Sequence, residues 1–384
     1  LSPSSLSFFT PSRTYFYLTV VASNLTMLLK SSGLLQGVLF SLLAAVGSAG
    51  TLRRATTCNG HSELCNRSYG NITYIGAHDS YAVGTNNLAV NQDYDITQQL
   101  TDGVRMLQSQ VHNNSGTIQL CHTSCVLYNG GTLQDYLTKV KTWMDANPNE
   151  VVTLLIVNSD NFPASSFASV FAAAGVDKLS YAPTSLPLTY NNWPTLSTLI
   201  DAGTRLVTFL DNGADTTVAP YLIDEFTNMW ETPFDVTTSF DCSVNRSHVA
   251  DTATSMYVIN HFFDTVVFGS PVPDVADANT TNAVSGTRAL GTQAALCQTQ
   301  YGRPPTFMLV DFYEYGGGSV FQVAAGLNGV TYAPTTPIAV PISTSSSSST
   351  SGSSTTGGSP SDVVVSRAQL GAAVIIASLV AYFM

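Results

Sequence analysis

Seven apolar runs rich in branched and aromatic residues recur through the middle of the chain, at residues 72–81, 104–112, 151–158, 205–211, 230–236, 256–263 and 307–313. Their length and content predict strands, with an eighth strand not located. Between the second and third runs, Leu133, Tyr136, Leu137, Val140, Trp143 and Met144 fall at helical spacing. Thr132 and Asp135 form a capping pair there, and Asn147-Pro148 stops the helix. Further helices are predicted at 165–174, 195–202 and 319–327, the first two ended by Gly175 and Gly203. Strand and helix alternate, so an α/β fold is expected, with a parallel sheet either closed as a barrel or left open as a doubly wound layer. No internal repeat is visible.

The ends of the 384-residue chain read as addressing segments. Residues 27–49 begin at Met27, carry Lys30, continue through an uncharged apolar stretch and end at Gly47-Ser48-Ala49, the order of a secretory signal. Residues 1–26 lie before that start and are read as a gene-model extension. A body of 50–341 follows, then a stalk at 342–359 that is only Ser, Thr and Gly from Ser343 onward. Residues 360–384 place a short spacer before an uncharged apolar tail, the arrangement exchanged for a glycosylphosphatidylinositol (GPI) anchor. A retained signal anchor and a C-terminal transmembrane helix are the competing readings. Both stretches are shorter than the roughly 20 residues that a span requires.

A net charge of -11 argues against nucleic acid as a partner, because phosphate neutralisation needs a basic surface. Six cysteines in a secreted chain favour disulfides, and sequence neighbours suggest Cys58 with Cys65, Cys121 with Cys125, and Cys242 with Cys297. His61-x-Glu63-x-Cys65 and Cys121-His122 with Cys125 could pass for metal patterns, but each lacks the second half of a four-ligand site. Sequons begin at Asn66, Asn71, Asn113, Asn245 and Asn279. Oligomeric state is not legible.

In either parallel architecture, chemistry gathers at the C-terminal ends of strands. Strand alternation puts Tyr74, Gly76 and His78 on one face, Met106, Gln108, Gln110 and His112 on another, and Phe307, Leu309, Asp311 and Tyr313 on a third. Leu120-Cys121-His122-Thr123 follows the second strand. Two imidazoles and a carboxylate could therefore converge on one mouth. Such a set suits general acid–base work: one ring accepts a proton, the other donates one, and the carboxylate fixes a tautomer. His61, His112, His248 and His261 have no supporting motif and read as structural.

Four blocks, Gly76-Ala77-His78-Asp79-Ser80-Tyr81, Gly103-Val104-Arg105, Leu120-Cys121-His122-Thr123 and Val310-Asp311-Phe312-Tyr313, closely resemble in order those of the phosphatidylinositol-specific phospholipase C X-domain superfamily. The secreted fungal PLC-like phosphodiesterases are the look-alikes, over about residues 58–328. The resemblance implies a distorted (β/α)8 TIM barrel and cleavage of a phosphodiester, a phosphoinositide or glycosyl-phosphoinositide, by the substrate's own hydroxyl. It assigns His78 as general base, Asp311 as its orienting carboxylate and His122 as general acid, and Asp79 matches the family's Asp or Asn after the first histidine. Asp79, Gln108, Gln110 and Tyr313 are the residues expected to bind substrate. Where metal-dependent members carry Glu-x-Asp as calcium ligands and bacterial members Asp-x-Arg, this chain has Gln108-Ser109-Gln110, so no metal or other cofactor is expected. The expected location is the extracellular face of the plasma membrane or the cell wall. The alternative is a GPI-anchored surface binding or structural protein that keeps the barrel and has weakened or lost turnover.

Overall fold

A computed structural model describes residues 54–342; the predicted extension, signal, Ser/Thr/Gly run and anchor signal lie outside the described residues. Twelve strands are formed among those residues: β1 (Tyr74–Ala77), β2 (Met106–Asn114), β3 (Thr117–Cys121), β4 (Asn129–Thr132), β5 (Val152–Asn158), β6 (Leu206–Leu210), β7 (Leu222–Asp224), β8 (Met229–Glu231), β9 (Met256–Asn260), β10 (Asp264–Val267), β11 (Ser270–Pro273) and β12 (Phe307–Val310). The helices are α1 (Ile96–Asp102), α2 (Leu133–Ala146), α3 (Ala164–Ala174), α4 (Leu196–Ala202), α5 (Glu225–Asn228), α6 (Ala278–Thr281), α7 (Leu290–Tyr301) and α8 (Ser319–Asn328).

Eight strands run parallel in the order β7-β6-β5-β2-β1-β12-β9-β8. This is a distorted (β/α)8 barrel, open between β7 and β8, which only the four-residue α5 separates in sequence. The strand that the sequence pattern does not locate is β7. Its three residues are too few to show a period.

Both faces of the sheet are buried, as an all-parallel sheet requires. One set, including Tyr74, Met106, Leu155, Phe209, Val258, Phe307 and Leu309, packs inside the barrel. The alternate set, including Ile75, Leu107, Leu154, Tyr257 and Val310, packs with the apolar stripe of α2. That stripe is the predicted one, and Thr132 caps α2 by accepting from the Asp135 N–H at 3.1 Å.

Gly76 belongs to the inward set because nothing larger fits. A Cβ there would lie 2.5 Å from Leu309 Cδ2 and 3.2 Å from Met106 Cβ. Gly76→Ala is expected to lower unfolding free energy by about 1–3 kcal/mol, read from urea denaturation, because the neighbouring strand must shift.

The second strand departs from the simple pattern. β2 continues beyond the barrel, turns at Ser115-Gly116, both at positive φ, and returns antiparallel as β3. His122 thus arrives at the mouth on the returning arm of a hairpin. The three expected disulfides are formed: Cys58–Cys65, Cys121–Cys125 and Cys242–Cys297.

Candidate active site

Each of the three central residues is followed by a residue in the left-handed region. Asp79 (φ 36) follows His78, Thr123 (φ 58) follows His122, and Phe312 (φ 46) follows Asp311. Non-glycine residues rarely adopt this region, and such strain concentrates at functional sites where surrounding contacts over-determine it. Here it ends each strand and leaves the preceding side chain pointing into the mouth.

His78 Nδ1 donates to Asp311 Oδ1 at 2.9 Å, which fixes the tautomer and leaves Nε2 facing outward. The ring lies flat on Phe262, centroids 3.7 Å apart and planes 5° from parallel, so its orientation is held on two sides. Asn91 Nδ2 donates to both oxygens of Asp311 at 3.1 Å, and Gln92 Nε2 donates to the carbonyls of His78 and Val310 at 2.8 and 3.0 Å. The second histidine is held differently. His122 Nδ1 donates to the Ala89 carbonyl at 2.9 Å, and the Cys121–Cys125 bridge closes the turn around it.

Asp79 stands between the two rings. Its Oδ2 is 3.4 Å from His122 Nε2 and 3.8 Å from His78 Nε2, so the two ring nitrogens cannot be further apart than the sum of those distances. Oδ1 of Asp79 is buried with no partner. The imidazoles keep 17% and 19% of their side-chain surface exposed, against 5% and 8% for Asp79 and Asp311. The rings face solvent and the carboxylates sit behind them.

Burial alone would lower the pKa of His78. The carboxylates of Asp311 and Asp79, the Asp311 hydrogen bond and nearby Asp264 outweigh it and hold the ring at about 9. Burial pushes Asp311 up even against the pull of His78. Asp264, on β10, is raised to about 7 by burial and by the Asp311 charge.

The remaining sequence candidates divide. Gln108 and Gln110 lie on the inward face of β2, but both amide oxygens are already engaged. Gln108 Oε1 accepts the Asp79 N–H at 2.6 Å, and Gln110 Oε1 accepts the Thr123 N–H at 2.9 Å. Each glutamine therefore clasps the backbone residue immediately after one of the two histidines. Neutral amides committed in this way do not fit a calcium ion, which prefers carboxylate oxygens. Among the described residues no group of three or more His, Cys, Asp or Glu side chains is arranged to hold a metal ion.

Tyr313 is not brought to the site. The positive φ of Phe312 breaks the strand alternation after Asp311, and Tyr313 turns into the core, donating to Asp102 Oδ2 at 2.6 Å. Arg105 forms an ion pair with Glu150 at 2.8 Å. His261 is fully buried between Gln293 and the Thr281 carbonyl, and burial pulls its ring down to about 4. Asn91, Gln92, Phe262 and Asp264 carry no motif that sequence reading could have used. Only proximity in the fold selects them.

The family model PI-PLC X 1 matches residues 64–328. Over 285 residues the chain is 45% identical to an uncharacterized secreted protein of Arthroderma benhamiae, covering 72% of this chain and 64% of that one, so the match leaves about a third of that relative unaligned. It is 42% identical over 277 residues to PI-PLC X domain-containing protein 1 of the same organism, covering 71% and 90%. A solved structure, the F249X mutant of phosphatidylinositol-specific phospholipase C from Staphylococcus aureus, is similar at 16% identity with a TM-score of 0.47, covering 70% of this chain and 95% of that one. The match to the family model spans more than half of the chain and takes in His78, His122 and Asp311: the chain belongs to the PI-PLC X-domain family.

Proposed function

We propose that this protein is an extracellular phosphoric diester hydrolase that cleaves a phosphoinositide or glycosyl-phosphoinositide by intramolecular attack. His78 Nε2 takes the proton of the substrate hydroxyl neighbouring the phosphate. The freed oxygen forms a bond to phosphorus, the bond to the leaving alcohol breaks, and His122 Nε2 gives that alcohol its proton. Products are a cyclic phosphodiester and the free alcohol. Water then opens the ring with the two histidines exchanging roles. Asp311 orients His78, and Asp79 stabilises whichever ring carries the positive charge. The observation that carries this reading is the single Asp79 oxygen facing Nε2 of both rings.

An extracellular setting is supported by the three disulfides and by similarity to a protein described as secreted. We place the protein at the cell surface through a GPI anchor, a reading that rests on the sequence of residues 360–384.

Phosphorus NMR of phosphatidylinositol incubated with the purified protein in chelator tests the reaction. The expected result is an inositol cyclic phosphate signal that appears first and converts slowly to the open monoester. Direct appearance of the monoester would exclude attack by the neighbouring hydroxyl.

One observation favours a second reading, a surface binding protein with little turnover. Gln108 and Gln110 are engaged by backbone N–H groups and bring no charge to the phosphoryl oxygens, where electrostatic stabilisation is usually the largest catalytic term. No cyclic phosphate in any metal, together with retained lipid binding, is the outcome that this reading requires.

A further inference from the structure

Three buried carboxyls lie behind the mouth, and the reaction does not use them. Asp93 is 7% exposed, Asp102 8% and Glu314 0%. None of them takes part in an ion pair among the described residues. Neither oxygen of Glu314 meets a donor, and its carboxyl lies beside that of Asp93. The groups facing Glu314 are Asp93 and Tyr94 from the loop after β1, Asp102 from α1, and Tyr313 and Tyr315 beside it in its own turn, none of them basic. Two buried carboxyls in contact without a cation cannot both ionise, so one proton between them is the arrangement with the least cost.

This pair lies where two structures meet. Asp93 ends a tripeptide stapled to the turn after β12 at three other points: the Asn91 side chain on Asp311, the Phe312 N–H on the Asn91 carbonyl at 2.9 Å, and the Gln92 side chain on the Val310 carbonyl. Contact between Asp93 and Glu314 is the fourth. The other side of the cluster holds the segment 338–342. The Ile342 N–H donates to Asp93 Oδ2 at 2.8 Å, the Ala339 N–H to Asp102 Oδ2 at 3.1 Å, and Tyr94 OH to the Val340 carbonyl at 2.6 Å. Ile338 packs on the core.

We propose that Glu314 and Asp93 share one proton and form a positioning pair that fastens the Asn91–Gln92–Asp93 tripeptide, and with it the His78–Asp311 dyad, to the strap at 338–342. The catalytic half of this inference rests on the proposed role of that dyad; the strap half does not. Loss of the shared proton leaves two charges in contact, so the pair separates, Asp93 swings toward water and Ile342 loses its acceptor.

Hydrogen exchange of the full-length protein, read at Ala339 and Ile342 alongside turnover, tests it. Burial and the Asp93 charge hold Glu314 at about 8, so wild-type protection factors at both amides should fall as pH rises past that value. Glu314→Gln, whose amide donates to Asp93 at every pH, should keep them protected into alkaline solution and retain turnover at neutral pH. Glu314→Ala should lower protection at all pH, and lower kcat about tenfold with KM little changed, the loss of roughly one hydrogen bond. Identical pH dependence in wild type and Glu314→Gln would overturn the proposal, as would full protection in Glu314→Ala. If Glu314→Ala does not fold, the comparison of wild type with Glu314→Gln decides. Absence of turnover in every form would sink the reaction and leave the strap measurement intact.

Discussion

His122→Ala is expected to lose roughly 10³-fold in kcat/KM on phosphatidylinositol and to recover most of it on an analogue with a nitrophenolate leaving group. His78→Ala should lose about as much on both substrates. The reasoning follows the protons. Departing diacylglycerol leaves as an alkoxide far more basic than any side chain, so the transition state needs a donor at the leaving oxygen. Nitrophenolate departs without one. Removal of the base penalises both, because the attacking hydroxyl must lose its proton in either case. The proposed mechanism divides the roles by what holds each ring: Nδ1 of His78 is bound to a buried carboxylate, whereas Nδ1 of His122 is bound to a neutral carbonyl. Recovery by His78→Ala instead of His122→Ala would reverse the assignment. Equal losses on both substrates for both variants would remove the distinction between acid and base. A thermal melt of each variant separates lost chemistry from lost folding.

The parts of this site that sequence exposes are those whose side chains follow a strand's parity up to its last residue. His78, Gln108, Gln110 and Asp311 extend the inward sets of β1, β2 and β12, and alternation alone aligns them. Legibility ends where the backbone leaves the strand. Nothing in the residue types announces that Phe312 adopts positive φ, so Tyr313 reads as a neighbour of Asp311 although it turns to Asp102. Similarly, β7 is set by its ladder with β6 and not by its own three residues. The hairpin that returns His122 was visible only as a strand, a short loop and a second block. Asn91 and Gln92 sit in a loop without period. They bind the dyad through contacts separated by more than two hundred residues, for which a single sequence has no signal.

The amide pair on β2 is a different case, because its residue types were legible and its role was not. Reading Gln108 and Gln110 as substrate donors assumes free side chains. Their oxygens instead hold the strained residues Asp79 and Thr123 in place. A carboxylate at the same positions would accept the same N–H groups and still have charge left over. Glutamine accepts them and contributes none. The amides therefore keep the architecture of the mouth but have no charge left with which to hold a cation that would neutralise a phosphoryl group.

The same electrostatics predict how the rate responds to pH. In the proposed reaction His78 must be neutral to accept a proton, and its surroundings in the unliganded protein hold it at about 9. Below that value the neutral fraction falls tenfold per pH unit, so on the nitrophenolate analogue, whose leaving group needs no proton from His122, kcat/KM should rise about 50-fold between pH 7 and 9, a limb that belongs to the unliganded protein. Asp311→Asn removes the largest of the effects that raise His78. Its limb should move down toward the ordinary imidazole value near 6.5, even as the plateau falls because the ring is less well oriented. Stability must follow the opposite course. A folded-state pKa above the unfolded one contributes stability that is complete below about 6.5 and is lost as pH rises through about 9. His78→Phe should accordingly destabilise the protein more at pH 6 than at pH 10. If the limb of kcat/KM stays in place in Asp311→Asn while His78→Phe costs the same at both pH values, His78 is not the group that titrates, and the proton must be accepted elsewhere.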